Sequence, residues 1–274
     1  GPGGTVVSTS TFTVTNAAPS APTIVGSSNA ITLHPQTYNL SATDPEGDQI
    51  TFTVSGATTA TVGPTSGSGS FSWNPSAAQA GSQTISAVAR DSKGASSAAS
   101  TFVVSVAANR APTFFNSMLG QLTGSSSTIN WTNFIVTAFD PDADDVTYAI
   151  TGTPTFVDST GGNAGINGAI TINAASGAVT FTGTVLAGKT SVVATFMVMA
   201  TDKLPGTGTV LGATATQAIT LTYIMNALTP TITGFAPPSG PMGTNVVITG
   251  TNFTGASSVD FNSVASTFTV NSAT

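Results

Sequence analysis

The sequence Asp140-Pro-Asp-Ala-Asp-Asp-Val-Thr-Tyr-Ala-Ile150 joins a loop with four carboxylates to a segment in which apolar and polar residues alternate. Alternation with a period of two is typical of a β-strand that buries one face. A counterpart, Asp44-Pro-Glu-Gly-Asp48, precedes the alternating segment Ile50-Thr-Phe-Thr-Val54. Asp44 and Asp140 are 96 positions apart, which is about the length of one small β-sandwich domain. The repeated pattern therefore predicts β-domains in tandem.

The acidic residues of the chain are concentrated around these two loops. The chain has eleven Asp and Glu, and nine of them lie in the loops or at the end of a later strand. These later strands end in Ala89-Arg-Asp91 and Ala200-Thr-Asp202. Acids that served only solubility would be spread over the surface, so the clustering indicates a local role.

The composition excludes several classes of function. Only 6% of the residues are charged, against roughly 25% in a typical soluble domain. Ser, Thr, Ala and Gly take their place, which is typical of secreted or surface-displayed β-repeat proteins. The net charge is -6 and the five basic residues form no patch, so nucleic acid is not an expected partner. The absence of Cys excludes zinc fingers, iron–sulfur clusters, thiol catalysis and disulfides.

The apolar segments are short. The longest, at 192–200, alternates as a strand would and cannot cross a bilayer, so no membrane insertion is expected in this segment. No signal peptide is visible, and we expect a mature form or an excerpt of a longer protein.

Alternating segments recur along the whole chain and are separated by turn residues, which predicts an all-β fold. No segment has a sustained 3.6-residue period, so no helix longer than a turn or two is expected. The pattern divides the chain into 1–17, 18–108, 109–227 and 228–274. In the last of these we expect about four strands, one of them at Phe268-Thr-Val270.

Two sequence features of the central region resemble known repeat families. Trp73-Asn-Pro-Ser-Ala-Ala-Gln-Ala-Gly81, followed by Asp91, resembles bacterial immunoglobulin-like and dystroglycan-type cadherin-like repeats of large surface proteins. Asn109-Arg-Ala-Pro-Thr-Phe114, taken with Asp140 and Asp202, resembles the cadherin pattern of linker, early loop and late loop. The resemblance implies two sandwiches, at 18–108 and 109–227, the second with insertions.

Both ends resemble an IPT/TIG domain, a sandwich of the immunoglobulin type. Residues 228–274, with Pro238-Ser-Gly-Pro241 and Ile248-Thr-Gly-Thr-Asn-Phe253, are similar to its opening strands. Residues 1–17, with a strand at Thr11-Phe-Thr-Val-Thr15, are similar to its closing strand. The fold implied is tandem immunoglobulin-like or cadherin-like β-sandwiches with partial TIG-like segments at both ends. Either the chain is one period of a longer array, or neighbouring copies complete each other by strand addition.

The cadherin resemblance implies a calcium site where one domain meets the next, because Ca²⁺ takes oxygen ligands from Asp-rich loops. Each implied set joins an asparagine of the preceding linker to the acids of one repeat. The second set is Asn109, Asp140, Asp142 and Asp202, with assistance from Asp144 or Asp145; the first is Asn16, Asp44, Glu46, Asp48 and Asp91. At most one ion per junction is expected. The alternative is that these acids only form turns on exposed loops.

Other candidate residues carry weaker signals. His34 is the only histidine, has no acid near it in sequence, and is expected at a loop or edge. Trp73 and Trp131 are expected in the core, although exposed tryptophans would suit sugar binding. Asn39, Asn130 and Asn252 head Asn-x-Ser/Thr sequons, which matter only in a source that glycosylates them. Because no nucleophile–base arrangement is present, an enzyme is not expected.

The sequence therefore predicts a non-catalytic structural or adhesive repeat segment of an extracellular filament or giant surface protein. Its expected partners are copies of itself and a surface glycan or protein receptor, and its expected location is extracellular or on the cell surface. Calcium would stiffen the junctions between domains. The alternative is a carbohydrate- or ligand-binding accessory module of a secreted protein.

Overall fold

The computed structural model describes residues 5, 10, 13, 15–115, 118–162, 168–186, 189–226, 229–253 and 256–271. The chain divides into two compact units. The first contains Gly1–Ala111 together with Pro141–Asp144 and Lys203–Ala213, and the second contains Pro112–Asp140, Asp145–Asp202 and Thr214–Thr274.

The first unit contains a β-sandwich of two sheets. Its strands are β1 (Thr23–Val25), β2 (Asn29–Ile31), β3 (Gln36–Ser41), β4 (Ile50–Gly56), β5 (Ala60–Thr65), β6 (Ser68–Trp73), β7 (Gly81–Asp91) and β8 (Ser100–Ala107). One sheet has the order β1-β3-β6 and the other β2-β8-β7-β4-β5. All pairings are antiparallel except that of β2 with β8.

The core of this sandwich is formed by the inward residues of the alternating segments. In β4, Ile50, Phe52 and Val54 are buried while Thr53 is exposed, as the period of two requires. Tyr38 of β3 stacks on Phe71 of β6 with ring centroids 5.4 Å apart. The buried apolar faces of the two sheets supply the main stabilising free energy of the domain.

The second sandwich, most of which lies in the second unit, repeats this plan with longer strands. They are β9 (Thr113–Phe114), β10 (Met118–Gly124), β11 (Thr128–Ile135), β12 (Ala138–Phe139), β13 (Asp145–Asp158), β14 (Ala169–Ile172), β15 (Ala178–Thr184), β16 (Ser191–Lys203) and β17 (Val210–Met225). The sheets are β10-β17-β16-β13, β11-β15-β14 and β12-β9. As β2 does with β8, β10 pairs in parallel with the last long strand, β17.

The core of the second sandwich again follows the alternation. In β16, every second residue from Val192 to Ala200 is buried, and the buried set continues to Asp202. Phe181 of β15 is fully buried, and Phe156 of β13 lies against it with ring centroids 5.9 Å apart. The segment at 192–200 is therefore a strand, as its alternation predicts, and it is one of the two inner strands of its sheet.

The last part of the chain contains four short strands: β18 (Thr231–Ala236), β19 (Val247–Thr251), β20 (Val259–Phe261) and β21 (Val264–Ser266). They pair as two separate antiparallel ribbons, β18-β19 and β20-β21. No described residue from 229 onward is buried. The strand predicted at Phe268-Thr-Val270 is wrong: these residues are not in a strand, because alternation alone does not hold an extended segment without a partner strand.

The all-β fold class is confirmed, as tandem β-sandwiches. The only helix among the described residues is a 3₁₀ turn at Ala77–Gln79. In the part of the chain that the structure describes, no helix has the length and hydropathy of a membrane span. The strand predicted over 11–15 falls mostly outside the described residues, and the four domain boundaries stay predictions.

Candidate metal centre

The loop of residues 140–145 connects two strands of the second sandwich. β12 ends at Phe139 and β13 begins at Asp145, so Asp140 and Asp144 lie at the two ends of the loop. Ala143 has a φ of 66°, in the left-handed region that a tight reversal uses. This reversal turns the chain back and allows carboxylates from both ends of the loop to approach one another.

Three carboxylates come together here. Asp140, Asp144 and Asp202 each offer a carboxylate oxygen, and these oxygens lie within 4.8 Å of one another. The three residues are only 9%, 7% and 0% exposed. Negative charges held this close in a buried place repel one another, and a divalent cation among them removes the repulsion.

The donor set fits a hard cation. All three side chains offer oxygen, which is what Ca²⁺ and Mg²⁺ prefer, and no Cys exists in the chain to favour a softer metal. Ca²⁺ takes about six to eight oxygens, so three carboxylates need additional ligands from bidentate binding, carbonyls or water. Asp140, Asp144 and Asp202 are the residues that could hold such an ion.

Asp142, predicted as a ligand, lies elsewhere. Its Oδ2 accepts a hydrogen bond of 2.6 Å from the Arg110 backbone N–H, and its Oδ1 lies 2.7 Å from Arg110 Nη2. Burial raises the pKa of Asp142, but the hydrogen bonds and charge of Arg110 outweigh burial and hold that pKa below its ordinary value. The Arg110 guanidinium neutralises this carboxylate. A role of Asp142 as a ligand stays a prediction.

Asn109, the linker residue of the predicted set, anchors the chain through its backbone. Its N–H donates a hydrogen bond of 2.9 Å to Thr32 Oγ1. A role of the Asn109 side chain toward a cation stays a prediction.

His34 is a polar partner of the acidic loop that the sequence did not indicate. Its Nε2 lies 2.8 Å from Asp144 Oδ1, and its Nδ1 lies 2.9 Å from the carbonyl oxygen of Thr32. A carbonyl only accepts, so Nδ1 carries a proton. Burial lowers the pKa of His34, but the hydrogen bonds to Thr32 and Asp144 outweigh burial and raise that pKa above its ordinary value. His34 lies between β2 and β3, in a loop as expected, and its acidic partner is 110 positions away in sequence.

The first acidic cluster is arranged differently. Asp91 Oδ2 accepts a hydrogen bond of 2.9 Å from Asn16 Nδ2, and Asp91 Oδ1 accepts two of 2.9 Å from the N–H groups of Lys93 and Ala95. Burial raises the pKa of Asp91, but these hydrogen bonds outweigh burial and keep that pKa below its ordinary value. Asn16 and Asp91 therefore meet as predicted, but N–H donors already surround the carboxylate.

The other acids of the first cluster also serve local contacts. Asp44 Oδ1 accepts hydrogen bonds of 3.0 Å from the N–H groups of Glu46 and Asp48. Glu46 Oε2 accepts one of 3.3 Å from the Ala17 N–H, and Asp48 lies 3.7 Å from Lys93 Nζ. No three of the acids at 44, 46, 48 and 91 form a group like that of Asp140, Asp144 and Asp202. Local hydrogen bonds and the contact with Lys93 thus engage oxygens of these carboxylates, and the first ligand set stays a prediction.

Asp158 is a second polar centre that sequence reasoning missed. It ends β13, and its Oδ1 accepts hydrogen bonds of 2.7 and 2.8 Å from the side chain and backbone of Thr160. These bonds lower the pKa of Asp158 to about 2, with burial opposing and Lys189 contributing at 3.2 Å from Oδ2. The segment Asp158-Ser-Thr-Gly-Gly162 is typical of an Asx-turn, which was the available signal.

The two tryptophans lie inside the two sandwiches. Trp73 is 3% exposed and Trp131 is 7% exposed, each among aromatic neighbours. The expectation that both belong to the core is confirmed by their burial. These two tryptophans therefore do not form a carbohydrate-binding surface, because neither indole face is available to a sugar.

Two families match the chain. Residues 14–104 match the family described as a bacterial Ig domain, and residues 230–274 match the IPT/TIG domain. The resemblance of residues 18–108 to bacterial immunoglobulin-like repeats and that of residues 228–274 to the IPT/TIG domain are thereby confirmed. The resemblance of residues 1–17 to a TIG closing strand and that of residues 109–227 to cadherin repeats stay predictions. Domains of these families are typically non-catalytic structural modules and commonly extracellular or surface-exposed. No curated protein matches the chain.

Several solved structures are similar to parts of the chain. A PKD domain of an M14-like peptidase from Thermoplasmatales archaeon SCGC AB-540-F20 is 28% identical, with a TM-score of 0.32, over 34% of this chain and 99% of that one. The fibronectin(III)-like modules of Clostridium thermocellum CbhA are 14% identical, with a TM-score of 0.22, over 74% of this chain and 94% of that one. The D00-D0 domain of intimin is 13% identical, with a TM-score of 0.23, over 73% of this chain and 98% of that one.

Proposed function

We propose that this chain, which matches a bacterial Ig domain over 14–104 and an IPT/TIG domain over 230–274, is a structural and adhesive repeat segment of an extracellular filament or giant surface protein. Its role is mechanical: the sandwiches are consecutive domains of a rod-shaped protein, and copies of the chain associate end to end. The observation that carries this proposal is the exposed apolar surface of β18–β21.

Many large apolar side chains of residues 229–271 are exposed to solvent. Eight large ones are between 40% and 104% exposed: Ile232, Phe235, Met242, Val247, Phe261, Val264, Phe268 and Val270. Burying such side chains is favourable by about 1.5–3 kcal/mol each when burial is complete. A surface of this kind marks an interaction site.

The proposed occupant is residues 1–17 of a second copy, which are similar to the closing strand of an IPT/TIG domain. Added to the edge of β18 or β19, this segment would form main-chain hydrogen bonds and place Phe12 and Val14 on one apolar face. Each copy has both a donor segment and an acceptor surface, so the contact is head-to-tail and propagates into a filament.

The assembly is tested by engineered disulfides, because the natural chain has no Cys. One batch carries Phe12→Cys and the other Val247→Cys. We expect a disulfide-linked dimer only when the two batches are mixed and oxidised. The wild type should form oligomers that grow with concentration in mass photometry, and Phe235→Asp should abolish them.

The matched control is Val103→Asp, because Val103 and Phe235 are both 57% exposed and Val103 lies on β8. This variant should still form oligomers. A wild type that stays monomeric at all concentrations, or mixed batches that do not cross-link, would overturn the proposal.

Calcium binding at Asp140, Asp144 and Asp202 is the second part of the proposal. Its support is the approach of three buried carboxylates within 4.8 Å. A bound ion would hold the loop of residues 140–145 against β16 and stiffen this part of the rod, since mass action favours the folded state that binds it.

A further inference from the structure

We propose that Asn39 and Asn130 carry N-linked oligosaccharides, one on the outer sheet face of each sandwich. The acceptor chemistry is that of the sequon, in which an Asn amide precedes a hydroxyl by two positions. The two sequons are Asn39-Leu-Ser41 and Asn130-Trp-Thr132.

The strands present both acceptor groups to solvent. In β3, Tyr38 and Leu40 are buried while Asn39 and Ser41 are exposed. In β11, Ile129 and Trp131 are buried while Asn130 and Thr132 are exposed. In β3, residues two apart share a face, so Asn39 and Ser41 point away from the core together. In β11 the register shifts after Trp131, and the exposure of Asn130 and Thr132 places both on the solvent side.

The two strands are equivalent in their sandwiches. β3 follows β2, which pairs in parallel with β8, and β11 follows β10, which pairs in parallel with β17. β3 pairs antiparallel with β6, the strand before β7, and β11 pairs antiparallel with β15, the strand before β16. Asn39 lies opposite Ser70 and Asn130 lies opposite Thr182. The same kind of site thus occurs on the same kind of surface in both domains.

The surface next to Asn39 has room for a sugar. An open groove of about 390 Å³ is lined by Val25, Asn39, Leu40, Ser41, Ser68, Gly69 and Ser70. Its small hydroxyl side chains can exchange hydrogen bonds with sugar hydroxyls, and Val25, 57% exposed, offers an apolar contact. No charged residue lines it.

The third sequon differs. Asn252 has a φ of 63°, and its Nδ2 donates a hydrogen bond of 3.3 Å to the carbonyl oxygen of Thr229. Neither Asn39 nor Asn130 makes a side-chain hydrogen bond to the described residues. The amide nitrogen that must react is therefore engaged at Asn252 and available at the other two, and we expect Asn252 to stay unmodified.

The reaction needs a lipid-pyrophosphate-linked oligosaccharide as co-reactant. The Asn amide nitrogen forms a bond to the anomeric carbon and loses a proton, while the bond from that carbon to pyrophosphate oxygen breaks and its electron pair leaves with the lipid pyrophosphate. Nothing is oxidised or reduced. Attached glycans would hydrate a surface that has few charged residues, only 6% of the chain.

The test is glycopeptide mass spectrometry of the chain secreted by its own producing cell, with chain from a host lacking the transferase as the unmodified reference. Asn39 and Asn130 should carry sugar and Asn252 should not. Ser41→Ala should remove the glycan from Asn39 alone, Ser41→Thr should keep it, and Ser70→Ala, which changes the groove but not the sequon, should keep it.

Circular dichroism of each variant verifies its fold. Unmodified Asn39 or Asn130 in the secreted chain overturns the proposal for that sandwich. A glycan that survives Ser41→Ala, or equal occupancy of Asn252, overturns the geometric argument.

Discussion

The two acidic clusters have similar sequences and different structures. In the first sandwich, Asp91 is surrounded by N–H donors from Asn16 and the following turn. In the second, Asp140, Asp144 and Asp202 bring carboxylate oxygens within 4.8 Å of one another. A carboxylate that accepts several N–H hydrogen bonds is stabilised as an anion by the protein itself, whereas converging carboxylates are stabilised by a cation. The same motif therefore serves a turn in one domain and a candidate metal centre in the other.

The largest expected effect compares the two cores. Phe52→Ala and Phe181→Ala each remove a fully buried ring, and each should lower the free energy of unfolding of its sandwich by about 3–5 kcal/mol. Denaturant unfolding followed by tryptophan fluorescence measures this, because Trp73 reports on the first sandwich and Trp131 on the second. Val103→Ala, at an exposed position, is the control and should change the free energy by less than about 0.5 kcal/mol. Equal stability of Phe52→Ala and wild type would contradict the assignment of this core.

The next effect separates the two acidic clusters directly. Calcium at 100 times its dissociation constant should stabilise the wild type by about 2.7 kcal/mol relative to chelator, measured as a shift of the thermal midpoint. Asp202→Asn should abolish this shift, since it removes one of three carboxylates. Asp91→Asn should keep it, because Asp91 belongs to the hydrogen-bonded cluster. No shift in the wild type at millimolar calcium would refute the metal centre.

Acid should destabilise the second sandwich through Asp158. Because its pKa is lowered to about 2 in the folded chain, the ionised carboxylate stabilises the fold above its ordinary pKa of about 3.8. That contribution is lost as the pH falls from about 4 through about 2. Denaturant midpoints of wild type and Asp158→Asn should differ at pH 7 and converge toward pH 2. A constant difference across this range would show that the carboxylate charge is not responsible.

The smallest effect concerns Arg110 and Asp142. The Arg110 side chain is 59% exposed, so Arg110→Gln should cost only about 0–1 kcal/mol in the free energy of unfolding. The calcium-dependent shift of the midpoint should be unchanged, because Asp142 lies outside the group of three carboxylates. If Arg110→Gln increases the calcium response, Asp142 has joined the ligands once its ion pair is removed.

Much of the fold could be predicted from local pattern. The alternation at Ile50–Val54 and at 192–200 identified strands of both sandwiches and the face that each buries, because strand side chains alternate regardless of the partner strand. The Asp-Pro loops and the later aspartates were also recognised from a local signal, because turn residues mark the ends of strands. The strand at 268–270 was predicted wrongly, since a strand also needs a neighbour.

The composition of the candidate metal centre could be predicted only in part. Asp140 and Asp202 were found from their repeated positions, and Asp144 as an assisting residue. The pairing of Asp142 with Arg110 and that of His34 with Asp144 could not be predicted, because hydrogen bonds between distant residues leave no periodic pattern in the sequence.

By itself, the sequence determined an all-β repeat chain with scarce charge gathered in two loops, because period, turn residues and composition are local properties. Only the tertiary structure decided which carboxylates meet N–H groups and which meet each other. Two loops with the same motif differ in this respect because the surroundings of a side chain come from segments far away along the chain.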